Sequence, residues 1–149
     1  MAYYSFTAIL RFSRLMRRSS SANSRCPCGS GCAFDACCGV CLSGRSPAPT
    51  AEALMCSRYT AYAMRDEAYL LATWHPSTRP TSLDLAADTE TKWIGLDVKR
   101  VEVTGPDSAL VEFVARYKVG GRAQRLHETS RFVREQGRWF YVEAVKLLP

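Results

Sequence analysis

Six of the seven cysteines in this chain of 149 residues lie between Cys26 and Cys41. The run Cys26-Pro27-Cys28-Gly29-Ser30-Gly31-Cys32-Ala33-Phe34-Asp35-Ala36-Cys37-Cys38-Gly39 places a C-x-C pair ahead of an adjacent C-C pair. Four thiolates converging from two such pairs make a cage for a soft tetrahedral cation, and zinc is the usual occupant. A disulfide framework would spread its cysteines through the chain to close loops. The clustering therefore points to metal in a reducing compartment, and to a cytoplasmic protein. A site filled by Cys26, Cys28, Cys37 and Cys38 leaves no open coordination position, so the Zn2+ is read as structural.

The cage needs a tight turn that aims both sulfurs of the first pair the same way. Pro27 fixes one torsion of that turn, while Gly29 and Gly31 permit positive φ and bring backbone N–H groups toward the thiolates. Cys32 and Cys41 leave further spacings open, Cys28-x-x-x-Cys32 and Cys38-x-x-Cys41. Their plainer reading is a pair of small, half-buried side chains, and their functional reading is a redox-labile flank to the site. Arg25 and Arg45 stand on either side and can offset the charge of minus two on a zinc tetrathiolate. Cys56 falls inside a predicted helix and reads as core or near-core.

The C-P-C-G-S-G…C-C-G string resembles the SEC-C motif, a short zinc-binding element found at the tail of the preprotein translocase motor and in many small proteins. The ligand positions and the G-S-G match. Cys32 departs from the motif, which usually has a polar or basic residue there.

The elements beyond the cage follow from periodicity and punctuation. Residues 25–42 form the knuckle, and residues 43–49, with Pro47 and Pro49, have linker composition. Residues 50–149 form the larger domain. Thr50 is placed to cap a helix running to about Met64, with Ala51, Leu54, Met55, Tyr59 and Tyr62 on one face. Asp66 caps a second helix through Leu71 that stops before Trp74-His75-Pro76. A third short helix is expected from Thr81 or Ser82. After Trp93 the pattern alternates: a first strand with a bulge near Lys99-Arg100, then strands over 109–119, 126–134 and 139–147, with turns at Gly120-Gly121 and Gln136-Gly137. Helices first and an antiparallel meander after make an α+β fold.

Three further stretches, A-E-A-L-M-C-S-R-Y-T-A-Y from Ala51, T-W-H-P-S-T-R-P from Thr73 and L-H-E-T-S-R-F-V-R-E from Leu126 followed by G-R-W-F-Y-V, resemble the YchJ-type protein family. Its members join an N-terminal SEC-C motif to a domain similar to nuclear transport factor 2. The resemblance implies three helices packed on a curved antiparallel sheet, a cone with a pocket at its wide end. It brings no activity with it.

Candidate pocket residues are the polar His75, Arg79, His127, Glu128 and Arg131, with Tyr59, Tyr62, Trp74, Trp93, Tyr117, Trp139 and Tyr141 as aromatic lining. Cone-shaped enzymes such as ketosteroid isomerase and scytalone dehydratase set a carboxylate or histidine opposite Tyr or Trp donors, so acid–base chemistry is sterically open. Alternation along a strand sends His127 and Glu128 to opposite faces and puts His127 with Thr129 and Arg131. His75, just before Pro76, reads more simply as a cap on helix-end carbonyls, and Glu128 with Arg131 as either a buried pair or a ligand clamp. No phosphate-cradling glycine loop, nucleophile elbow or His-rich zinc motif occurs.

The net charge of +6 suggests nucleic acid until it is located. Arg11, Arg14, Arg17, Arg18 and Arg25 lie in an acid-free opening stretch, and the remainder of the chain carries +1. That remainder has no basic excess for a phosphate backbone, and no apolar run is long enough for a membrane span. Residues 1–24 read as a basic leader without a folded role, through an upstream start with Met16 as the true initiator or as an organelle transit segment.

Two functional readings follow. The first is a zinc knuckle serving as a protein-interaction module on a pocketed cone, with protein partners. It expects chelation to melt residues 26–41 and leave the cone folded. The second is a carrier or isomerase- or dehydratase-like enzyme for a small apolar or aromatic ligand, polarised by His75, Glu128 or Arg131.

Overall fold

The structure, a computed structural model, describes residues 24–149. The leader reading falls almost wholly outside them. The elements run α1 (Cys38–Leu42), α2 (Ala51–Met64), α3 (Glu67–Ala72), β1 (Thr91–Gly105), β2 (Ser108–Val119), β3 (Arg122–Glu135) and β4 (Arg138–Leu148). The strands form one antiparallel meander in the order β1-β2-β3-β4.

Local chemistry accounts for each boundary. The Thr50 side chain accepts from the Ala53 N–H to cap α2, and Asp66 does the same for Tyr69 at the start of α3. Arg65, with φ of 59°, ends α2 in the left-handed region, and the Asp66 N–H reaches back to the Ala61 carbonyl. Gly120-Gly121 and Gln136-Gly137 all have positive φ, which is what two-residue turns matched to strand twist require. The bulge expected near Lys99-Arg100 is present as a register shift between Val98 and Arg100, with another between Trp93 and Gly95. Such bulges bend β1 and curve the sheet around α2.

The third helix is a correction. Residues Leu85–Ala87 make one 3-10 turn only, because Asp84 sits at φ 53° with no side-chain cap and Asp88 is already extended. The three helices are instead α1, α2 and α3, with α2 packed on the sheet and α1 and α3 packed on α2.

The core lies between α2 and the concave sheet face. Leu54, Tyr59, Val111, Phe113 and Phe132 are buried there in one cluster that also contains Cys26, Cys28 and Cys38. The knuckle is thus sewn into the core of the larger domain. No helix among the described residues is long and apolar enough to cross a membrane.

Candidate metal centre and cavity

The cage is built by two turns and one helix. The Cys26 N–H donates to the Cys32 carbonyl at 2.8 Å, closing a loop in which Gly29 and Gly31 take φ of 83° and 81°. Cys37 follows a single 3-10 turn, and Cys38 opens α1. The four sulfurs of Cys26, Cys28, Cys37 and Cys38 all lie within 4.8 Å of one another. A zinc–sulfur bond of about 2.3 Å puts neighbouring sulfurs of a tetrahedron about 3.8 Å apart. The Cys28–Cys37 and Cys37–Cys38 separations are 3.6 and 4.0 Å. Every cysteine is a free thiol, so the spacing is that of ligands and the donor set fits a soft divalent cation.

The surroundings suit the cage. Ser30 Oγ lies 3.2 Å from Cys37 Sγ, and Thr60 Oγ1, on α2, lies 3.8 Å from Cys26 Sγ. These hydroxyls orient and partly neutralise thiolates. Hydrogen bonding from the Cys38 and Cys56 thiols pulls Cys28 well below the ordinary thiol range, and the same contacts push Cys38 and Cys56 up. One proton-poor sulfur is thereby shared among its neighbours, a need that a divalent cation meets by replacing the remaining protons. Cys56, read as core or near-core, packs half-buried against the core cluster and also stands against the cage from the α2 side. Cys32 is exposed and Cys41 half-buried, and neither joins the group. Arg45 does not reach the sulfurs; its Nη2 donates to the Asp35 carbonyl at 2.7 Å and braces the turn between the two pairs.

Gly39 shows how tightly this turn is packed. A Cβ added there would meet the Phe34 carbonyl oxygen at 2.7 Å. Gly39→Ala is expected to cost about 1–3 kcal/mol through forced backbone movement and to lower zinc content, measured by metal analysis beside the melting temperature. Full zinc content with unchanged melting would count against this packing.

Below α2 a cavity of about 250 Å³ opens toward the concave sheet face. Its apolar wall includes Met55, Tyr59, Trp93, Phe113 and Leu126, and its polar groups come from Arg58, Tyr62, Glu128, Ser130 and Tyr141. Ser130 donates to Glu128 Oε1 at 2.6 Å. The Arg58 guanidinium lies against the rings of Trp74 and Tyr141, 4.9 and 4.6 Å from their centroids, while its Nη1 donates to the Leu70 carbonyl and Thr73 Oγ1. Burial pushes Arg58 down to about 10, which keeps it a cation at neutral pH. Tyr62 and Tyr141 are raised, chiefly by burial, so both hydroxyls stay protonated donors.

Of the residues singled out from the sequence, Tyr59, Tyr62, Trp93, Glu128 and Tyr141 line this cavity. Trp74 sits behind Arg58, and Tyr117 behind Trp93 at 5.0 Å. The rest do not converge there. His75 is neither pocket residue nor carbonyl cap: its ring bonds Ser77 Oγ and Glu135 Oε1 at 2.6 and 2.8 Å. Arg79 turns back to the Trp74 carbonyl. His127 pairs with Glu112 at 2.8 Å and Arg131 with Glu143 at 3.2 Å, both on the sheet face turned from α2 because they alternate with Glu128 and Ser130. A buried Glu128–Arg131 pair is thereby ruled out. The Trp139 Nε1 is buried without a hydrogen-bond partner and lies outside this cavity. Arg58 and Ser130 are the polar groups the sequence reading missed.

Comparison with known proteins places this architecture. A family profile described as the YchJ middle NTF2-like domain matches residues 50–144. The chain belongs to the YchJ family. Relatives in that family include a UPF0225 protein of Chromobacterium violaceum, 58% identical over 87% of this chain and 98% of its own length. Another, from Ralstonia nicotianae, is 58% identical over 79% of this chain and 88% of its own. Among solved structures, a SEC-C motif containing protein from Rhodopseudomonas palustris superposes with a TM-score of 0.74 at 36% identity, covering 85% of this chain and all of that one. A SEC-C motif containing protein from Psychrobacter arcticus gives 0.71 at 26% identity, over 87% of this chain and 85% of that one. The YchJ-type expectation, with its curved sheet under helices, therefore holds.

Proposed function

We propose that this YchJ-family protein binds a small apolar or aromatic molecule in the cavity beneath α2, and that the four-cysteine site holds a structural zinc ion that fixes α2. The observation that carries this reading is the cavity itself: an apolar wall with a few convergent polar groups, the usual make-up of a small-molecule site. The resemblance of the knuckle to SEC-C zinc elements supports zinc as the metal, and the two solved relatives are themselves SEC-C motif containing proteins. A free-standing interaction tag receives less support, since the inner side of the cage is occupied by Thr60 and Cys56 of α2.

Indole is a suitable neutral probe. Titrated into zinc-loaded, isotopically labelled protein, it is expected to move the resonances of Tyr59, Trp93, Phe113 and Leu126 and leave those of the convex sheet face still. Ala115→Leu, which adds bulk to the cavity wall, is expected to abolish the shifts. Indole without effect on these residues, or with the same effect in Ala115→Leu, would overturn the reading.

A further inference from the structure

We propose that the ligand of this cavity is a small aromatic zwitterion of the α-amino-acid type, its carboxylate on Arg58 and its ammonium on Glu128. The inference rests on the reading that the cavity binds a small molecule, and it names the chemistry that two of its walls would select.

Arg58 comes from the helix wall and Glu128 from the sheet wall of one cavity. No ion pair among the described residues includes either of them, so the two opposite charges share the cavity with more than 4.0 Å between their charged atoms. Each is held in place rather than free to collapse on the other. The Arg58 guanidinium rests against the edge-to-face pair of Trp74 and Tyr141, and Nη1 is tied to Leu70 and Thr73 at 2.7 and 2.8 Å. Ser130 fixes Glu128 through Oε1.

A guanidinium immobilised in this way presents its remaining N–H groups in a planar fork, the geometry that suits a carboxylate. Glu128 offers an acceptor for a cationic donor. In a site walled by Met55, Tyr59, Trp93 and Phe113, attraction to a matching charge is stronger than in water, and a buried charge left unmatched is costly. A ligand with only one charge satisfies one wall and strands the other. A zwitterion satisfies both, while a single aromatic ring is of a size with the roughly 250 Å³ available.

The test uses the full zinc-loaded chain and isothermal titration with L-phenylalanine, 3-phenylpropanoate, which lacks the ammonium, and 2-phenylethylamine, which lacks the carboxylate, with indole as neutral reference. L-Phenylalanine is expected to bind at least about tenfold more tightly than either singly charged analogue, since a site built for polar groups penalises their absence. Glu128→Gln is expected to erase the advantage of L-phenylalanine over 3-phenylpropanoate. That variant removes one charge and keeps an acceptor for Ser130, so its fold is checkable by its unchanged far-UV spectrum. An analogue that equals L-phenylalanine, or a Glu128→Gln protein that keeps the preference, overturns the proposal while indole binding preserves the underlying reading. Failure of all four compounds to bind overturns both.

Discussion

Stripping zinc with a chelator is expected to lower the melting temperature of the whole chain by about 10 °C or more, in one transition, with residues 26–42 unfolding at once. A metal-bound knuckle contributes about 10–16 kcal/mol of apparent binding energy, and without it a segment this short has no core of its own. The effect spreads because Cys26, Cys28 and Cys38 belong to the cluster that contains Leu54, Met55 and Tyr59. Their loss exposes the cage side of α2, including Thr60, fully buried in the folded protein, and Cys56. A loss of about 3 kcal/mol from such exposure corresponds to roughly 10 °C for a domain of this size. Hydrogen exchange locates the effect: amides of α2 should lose protection along with those of α1. Cys38→Ser should reproduce the shift without chelator. A cone that melts unchanged while only the knuckle loses protection would show two independent units, as linker composition alone suggests.

The cage was legible because its geometry is local. Two cysteine pairs in a stretch of thirteen residues, with Gly29 and Gly31 able to take positive φ, leave little that distant contacts can alter. The helix caps at Thr50 and Asp66 were legible for the same reason. Cys56 was not, since nothing in the sequence of a helix says that Cys28 will lie against it. The knuckle's attachment to the cone was likewise hidden behind a linker whose Pro47 and Pro49 read as separation, although Ala48 between them is buried against the core.

The cavity was legible only in part. Alternation separated His127 from Glu128 correctly, but alternation does not say which face of a strand is covered. That is decided by what lies over each face: Glu128 stands opposite Phe113 of the cluster beneath α2, and His127 opposite Val114, which is buried but outside that cluster. His75 and Arg79 failed as pocket residues because the chain after α3 docks along β4, where the His75 N–H donates to the Tyr141 carbonyl and the Tyr141 N–H to the Thr73 carbonyl. Arg58 had a signal that went unused. Positions 51, 54, 55, 59 and 62 define the buried face of α2, and 58 falls on that face by the same spacing. A charged residue in a core phase marks either a paired structural ion or a site.

Arg58→Met is expected to destabilise the protein by about 2–4 kcal/mol, and Arg58→Lys to recover less than half of the loss. The side chain is 3% exposed and joins three elements. From α2 it donates to the Leu70 carbonyl and Thr73 Oγ1 at the end of α3, and it packs against the touching rings of Trp74 and of Tyr141 on β4. Methionine matches its bulk but removes both Nη1 bonds and leaves the Leu70 carbonyl only the 3.3 Å bond from Thr73 Oγ1, a loss of about 1–3 kcal/mol for a buried group, and forfeits two desolvated cation–π contacts worth about 1–2 kcal/mol each. Relief of the buried charge offsets part of this. That burial cost is present in full at neutral pH, because the folded-state value near 10 lies below the ordinary 12.5, and it lifts only as pH rises through that interval. Lysine restores charge without the planar fork or the stacking area. Urea denaturation at neutral pH measures both variants, and the amides of His75 and Tyr141 should show the greatest gain in exchange. A methionine variant as stable as the parent would mean that the cation is held at a net cost, kept for what enters the cavity and not for the joint between α3 and β4.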